Sequence, residues 1–71
     1  MELSKYYKNM KGELCETLME SDGMIYFNKY TKKGKLIRKY CAEDLDVLDA
    51  WDGLGGKEFK KIVILENLKQ D

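Results

Sequence analysis

The sequence predicts a small α+β domain of element order α-β-β-α-β, a three-stranded sheet packed by one longer and one short helix. Three observations predict it. Apolar residues fall at steps of three and four over the first twenty positions. Two aromatic and β-branched runs flank the linker "TKKGK", and the apolar run "IVIL" lies close to the C-terminal end. A chain of 71 residues makes one domain at most, residues 1–71. Its 44% hydrophobic content is enough for a core, and 13 bases against 13 acids leave no net charge to keep it unfolded.

The first element is read from Leu3, Tyr6, Tyr7, Met10, Leu14 and Leu18, which gather on one side of a helix. Lys5, Asn9, Glu13, Glu16 and Glu20 lie toward the other side. "SDG" at 21–23 ends this helix, with Gly23 as its left-handed cap. Gly12 costs the helix about 1 kcal/mol relative to alanine. A competing reading makes "ELCETLME" a strand paired across "SDG" with the segment that follows. Next, "MIYFNKYT" and "KLIRKYC" read as two strands of a hairpin, with Gly34 taking the positive φ of the turn.

The acidic stretch "CAEDLDVLDAWDG" follows. Leu45, Leu48 and Trp51 recur every third residue with Val47 alongside, which suits a short helix. Glu43 and Asp44 stand where its positive end favours anions and Gly53 stands where it caps, whereas Asp49 and Asp52 sit at the wrong end for the dipole. "EFKKIVILENL" reads as a strand buried on both faces and central in the sheet.

Most enzyme chemistry lacks its residues here. There is no histidine, hence no ordinary general base, no usual activator of a nucleophile and no common zinc ligand. The two cysteines, Cys15 and Cys41, cannot close a tetrahedral thiolate site alone, and they are expected as free thiols. "GLGGK" at 53–57 departs from a phosphate-binding loop. Trp51 stands where the first glycine belongs, Glu58 follows Lys57, and the expected order is helix then strand. The carboxylates lack the spacing of a calcium-binding loop. The expectation is a protein with no catalytic residues, no metal and no cofactor. Charges occupy the N-terminal stretch where a signal peptide needs an apolar core, and no apolar run approaches the ~18 residues that span a bilayer. A cytoplasmic protein with no membrane contact is expected.

What remains is binding, and the charges sort into two adjacent blocks. The acidic block offers Asp44, Asp46, Asp49 and Asp52 around Leu45, Leu48 and Trp51, a negative rim on apolar anchors suited to a basic protein surface. The basic block offers Lys29, Lys32, Lys33, Lys35, Arg38 and Lys39 with Tyr30 and neighbouring tyrosines, which suits nucleic acid. The first is preferred: a small non-enzymatic protein-interaction module, a regulator or inhibitor of phage type. Nucleic-acid binding by the hairpin 28–40 is the alternative. A marginal core, exposed strand edges and opposed charge blocks also point to a homodimer.

The order of "SDG" turn, aromatic strand, "DLDVLDAW" helix and final apolar strand, over residues 21–66, resembles the small phage inhibitors of uracil-DNA glycosylase. That resemblance implies acidic groups that imitate DNA phosphates and an apolar side chain that enters the target's pocket. The basic hairpin departs from it.

Overall fold

Turn chemistry decides this fold at its first corner. In the computed structural model, which describes residues 5–68, the Asn9 side-chain oxygen accepts hydrogen bonds from the N–H groups of Lys11 (2.9 Å) and Glu13 (3.0 Å). The Gly12 N–H donates to the Asn9 carbonyl at 3.0 Å, with Gly12 at φ +83°. A side chain that satisfies its own local backbone in this way competes with helix formation. The helix expected from Leu3 to Leu18 is therefore absent from the described part of that stretch (Leu3 lies outside the described residues). In its place stand β1 (Tyr6–Lys8), a turn, and β2 (Leu14–Ser21).

Asp22 (φ 52°) and Gly23 (φ 75°) are both left-handed, and Ser21 pairs with Met24. Two successive positive φ values make the tight two-residue hairpin turn that matches strand twist. Gly23 thus has the backbone expected of a helix cap but serves a hairpin into β3 (Met24–Tyr30). The hairpin across "TKKGK" forms as expected, with Gly34 at φ +97° and the Gly34 N–H donating to the Thr31 carbonyl at 2.8 Å. β4 (Leu36–Asp44) runs further than the sequence suggests, through Glu43 and Asp44. A 3-10 helix (Leu45–Ala50) leads to β5 (Asp52–Leu54), where Gly53 pairs with Tyr7 and caps no helix.

The last element corrects the expectation again. "IVIL" belongs to α1 (Gly56–Leu68), not to a central strand. Phe59, Ile62 and Val63 fall at i, i+3 and i+4, so the helical stripe was present beneath the β-branched run. Among the described residues the fold is therefore one antiparallel sheet of five strands in the order β4-β3-β2-β1-β5, followed by one α-helix, in place of three strands and two helices. The final strand on which the likeness to the glycosylase inhibitors relied is this helix. Strand β5, Gly55 and α1 also stand in the strand-to-helix order that "GLGGK" was expected to lack, although Trp51 and Glu58 still break the phosphate-loop pattern.

Pairing partners share a face of the sheet. On the first face Tyr7, Cys15, Ile25 and Phe27 form a buried cluster, and Cys41, Leu45, Val47, Leu48 and Trp51 pack against it. The 3-10 helix closes this face as it crosses from one sheet edge to the other. Its Leu45 N–H donates to the Gly23 carbonyl at 2.9 Å, which ties it to the β2–β3 turn. On the second face Leu14 and Tyr30 pair, and Phe59 of α1 stacks on Tyr6 at 4.1 Å and meets Tyr30 edge-on at 5.2 Å. Each large apolar side chain buried in these clusters is worth about 1.5–3 kcal/mol.

Candidate functional site

In a 3-10 helix, side chains three apart lie above one another. The period-three pattern of the acidic segment is that geometry written in sequence, and it sorts the residues into three rows. Leu45 and Leu48, with Trp51 just beyond, point to the first face and pack against its cluster. The Trp51 ring meets Phe27 at 4.9 Å, nearly perpendicular, and lies 6.0 Å from Tyr7. Asp46 and Asp49 form the exposed row, with Asp44 and Asp52 exposed at either end. Val47 and Ala50 form the third row, which faces a groove.

That groove has a volume of about 240 Å³ and runs between the β1–β2 turn and the 3-10 helix. Phe27, Val47, Ala50 and Trp51 supply its apolar lining, Met10 and Lys11 one lip, and Glu43 of β4 an acidic end. The lip is held firmly. Besides the bonds made by its carbonyl and side-chain oxygens, Asn9 donates its side-chain amide to Glu13 (3.0 Å), and its N–H donates to the Glu13 carbonyl (3.0 Å). Lys29 Nζ, also on the lining, lies 3.8 Å from Glu13 Oε1. This is the one ion pair among the described residues, so Glu43, Asp44, Asp46, Asp49 and Asp52 keep unpaired charges there.

Of the expected binding residues, Asp44, Asp46, Asp49 and Asp52 stand exposed, whereas Leu45, Leu48 and Trp51, expected as apolar anchors for a partner, are partly buried against the chain's own first-face cluster. The sequence did not reveal Asn9, Met10, Lys11, Glu13, Phe27 and Ala50 as parts of one groove. The missed signal was the turn chemistry of Asn9 followed by Gly12, which a helix-period reading ran through.

The basic block is laid out differently. Lys32, Lys33, Lys35, Arg38 and Lys39 are all exposed, along the β3–β4 turn and the edge strand β4. Lys29 is engaged by Glu13. Tyr30 donates its hydroxyl to Glu16 at 3.0 Å and sits against α1. Burial, reinforced by that bond to the Glu16 carboxylate, pushes the Tyr30 phenol up to about 12. Tyr40, 77% exposed at a positive φ of 55°, remains as a stacking surface on β4. The bases and the acidic row are not paired with each other within the described chain.

Both cysteines are free thiols. Cys15 is buried on the first face, and burial pushes its thiol up to about 12 against the opposing pull of Lys29. A thiol so protonated is no nucleophile at neutral pH. Among the described residues no three acidic, cysteine or histidine side chains are grouped to hold a metal ion, and no helix is long and apolar enough to cross a membrane. Comparison of the chain with known protein families, curated proteins and solved structures finds no match.

Proposed function

We propose that this chain is a non-enzymatic protein-interaction module that binds a larger protein through the acidic 3-10 segment and the groove beside it. One observation carries the reading: a groove with an apolar wall and one hydrogen-bonded lip lies next to carboxylates that have no ion-pair partner among the described residues. Leu45 and Leu48 prop the segment on the core, Trp51 supplies an aromatic wall, and Asp44, Asp46, Asp49 and Asp52 steer a basic surface toward it. A chain of this size acts most simply by occupying a surface of its target, as a regulator or inhibitor. Two free thiols fit the reducing cytoplasm. Self-association belongs to the same reading. The edge strand β4 carries bases at its start and acids at its end, so two copies paired antiparallel would set one against the other.

The alternative is nucleic-acid binding by the hairpin, and the exposed row of bases beside Tyr40 favours it. Against it, Tyr30 is packed under α1, which leaves little aromatic surface for stacking bases. A pull-down from the native host, repeated after nuclease treatment, separates the two. The proposal expects a specific protein whose capture survives nuclease and whose association slows in Asp46→Asn/Asp49→Asn. Capture of nucleic acid alone, weakened by Lys32→Ala/Lys33→Ala/Arg38→Ala, would overturn it in favour of the hairpin.

A further inference from the structure

The groove beside the 3-10 helix has a definite size, lining and charge, and together these specify what fits. At about 240 Å³ it falls below the roughly 300–1,000 Å³ of ordinary small-molecule pockets and is scaled to a side chain or two. Phe27, Val47 and Trp51 give it an apolar wall, beside the polar groups of Asn9, Glu13 and Lys29. Its lip carries Met10, a residue 84% exposed on a turn that five hydrogen bonds made by Asn9 hold in place. A large apolar residue kept in water by a rigid turn contributes little to this fold. Methionine is unbranched and polarisable, and it adapts to varied apolar partners.

The lining itself is balanced, with Lys11 and Lys29 against Glu13 and Glu43, and the excess of acid comes from the 3-10 helix beside it. Lys29 is engaged by Glu13, which leaves Lys11 as the remaining base on the lining against Glu43 and the exposed row Asp46 and Asp49 beyond Val47 and Ala50. Resting on the protein-binding reading, we infer that the groove takes a single apolar side chain of a short peptide segment whose flanking residues are lysine or arginine. The apolar side chain enters between Met10 and Trp51 and meets Phe27. The flanking cations face Glu43 on one side and Asp46 and Asp49 on the other.

Trp51 is the only tryptophan of the chain and lies in the groove, so its fluorescence reports occupancy directly. Three capped hexapeptides serve as probes: leucine flanked by arginines, leucine flanked by glutamates, and alanine flanked by arginines. The arginine–leucine peptide should give a saturable change in Trp51 emission. The glutamate peptide should bind about tenfold more weakly or worse, two exposed charge pairs each being worth a factor of a few. The alanine peptide should not saturate over the same range. Ala50→Arg places a long side chain at the mouth from an exposed position, so the fold is kept while the response is lost. Asp46→Asn/Asp49→Asn should weaken the arginine–leucine peptide several-fold and narrow its advantage over the glutamate peptide. A flat Trp51 signal with all three peptides, or equal affinity for the arginine and glutamate peptides, overturns the inference. Against the captured protein target, loss of binding in Asp46→Asn/Asp49→Asn with full binding in Ala50→Arg leaves the acidic-surface reading standing and removes the groove. Full binding in both variants removes both.

Discussion

The two faces of the sheet are closed by different devices, and the contrast explains where function has room. The first face is sealed by side chains from a six-residue 3-10 helix, which sets Leu45, Leu48 and Trp51 onto Tyr7, Cys15, Ile25 and Phe27. So short a cover leaves the groove open beside it. The second face is crossed by α1, with Phe59 stacked on Tyr6 and set against Tyr30, and the helix reaches as far as Gly34. There the fit is close enough that backbone meets backbone. One face trades coverage for an accessible aromatic wall, and the other is closed by contact.

The largest break in this contrast is expected from Phe27→Ala. Phe27 is 1% exposed, touches Trp51 edge-on and anchors the first face. Its truncation should cost about 3–5 kcal/mol, a large part of what a small domain possesses. Thermal unfolding followed by Trp51 fluorescence should lose its cooperative transition or move far down in temperature. Phe59→Ala should behave differently although Phe59 is also buried. The second face should loosen and helical circular dichroism fall while Trp51 keeps its native emission. If both substitutions move Trp51 alike, the faces are one cooperative unit and the contrast is lost.

Gly34→Ala sharpens the comparison from the other side. At φ +97° a side chain is strained, and a Cβ there would meet the Ile62 carbonyl oxygen at 2.8 Å. A cost of about 1–3 kcal/mol is expected from the backbone conformation alone, with the contact added to it. Melting temperature should fall while the Trp51 emission of the folded state stays as it was.

The polar stack of the second face gives a smaller and pH-dependent effect. Tyr30→Phe removes the hydroxyl bond to Glu16 and should cost about 1 kcal/mol. Tyr30 holds its proton more tightly folded than unfolded, because its burial and the Glu16 carboxylate raise it from 10.0 to about 12. Its contribution is therefore complete below pH 10 and is lost as pH rises toward 12. Cys15, raised from 9.0 to about 12 by burial, loses its share in the same direction from pH 9 upward. Alkaline denaturation should begin in this window. Tyr30→Phe should lose less stability than the wild type between pH 10 and 12, and an unchanged alkaline profile would show that the stack contributes nothing.

Part of this fold was written in the sequence, and the failures have common causes. The β3–β4 hairpin was legible because Gly34 sits between two aromatic and β-branched runs, where a turn residue and strand formers agree. Residues 6–18 misled because Tyr6 and Tyr7, helical neighbours by spacing, belong to opposite faces of β1. The register shift between Thr17 and Met19 also breaks the alternation that would have marked β2. Asn9 and Gly12 held the correct signal, a local one that periodicity averages away. "IVIL" misled because β-branched residues favour strands only when no longer stripe competes, and Phe59, Ile62 and Val63 supplied that stripe. For the site, the strict three-residue repeat of Leu45, Leu48 and Trp51 indicated a short helix. Its 3-10 character was implicit, since an α-helix would have needed steps of three and four. The groove itself was not legible. It is made by a turn, two strands and a 3-10 helix brought together across more than thirty residues of chain.

The smallest effect concerns the acidic row and separates stability from recognition. Asp46 and Asp49 are exposed, lie one above the other, and have no ion-pair partner among the described residues. Neutralising both as Asp46→Asn/Asp49→Asn removes a like-charge repulsion, so stability should rise or stay level, within about 0.5 kcal/mol. If these carboxylates served the fold, the double variant would instead melt earlier. A residue pair whose removal leaves the fold as stable as before, yet slows binding to a basic partner and flattens its salt dependence, is present for that partner. Chemical denaturation and association kinetics, measured on the same preparation, make the comparison directly. A clear loss of stability with unchanged association would place the acidic row in the architecture of the first face and leave recognition to the groove.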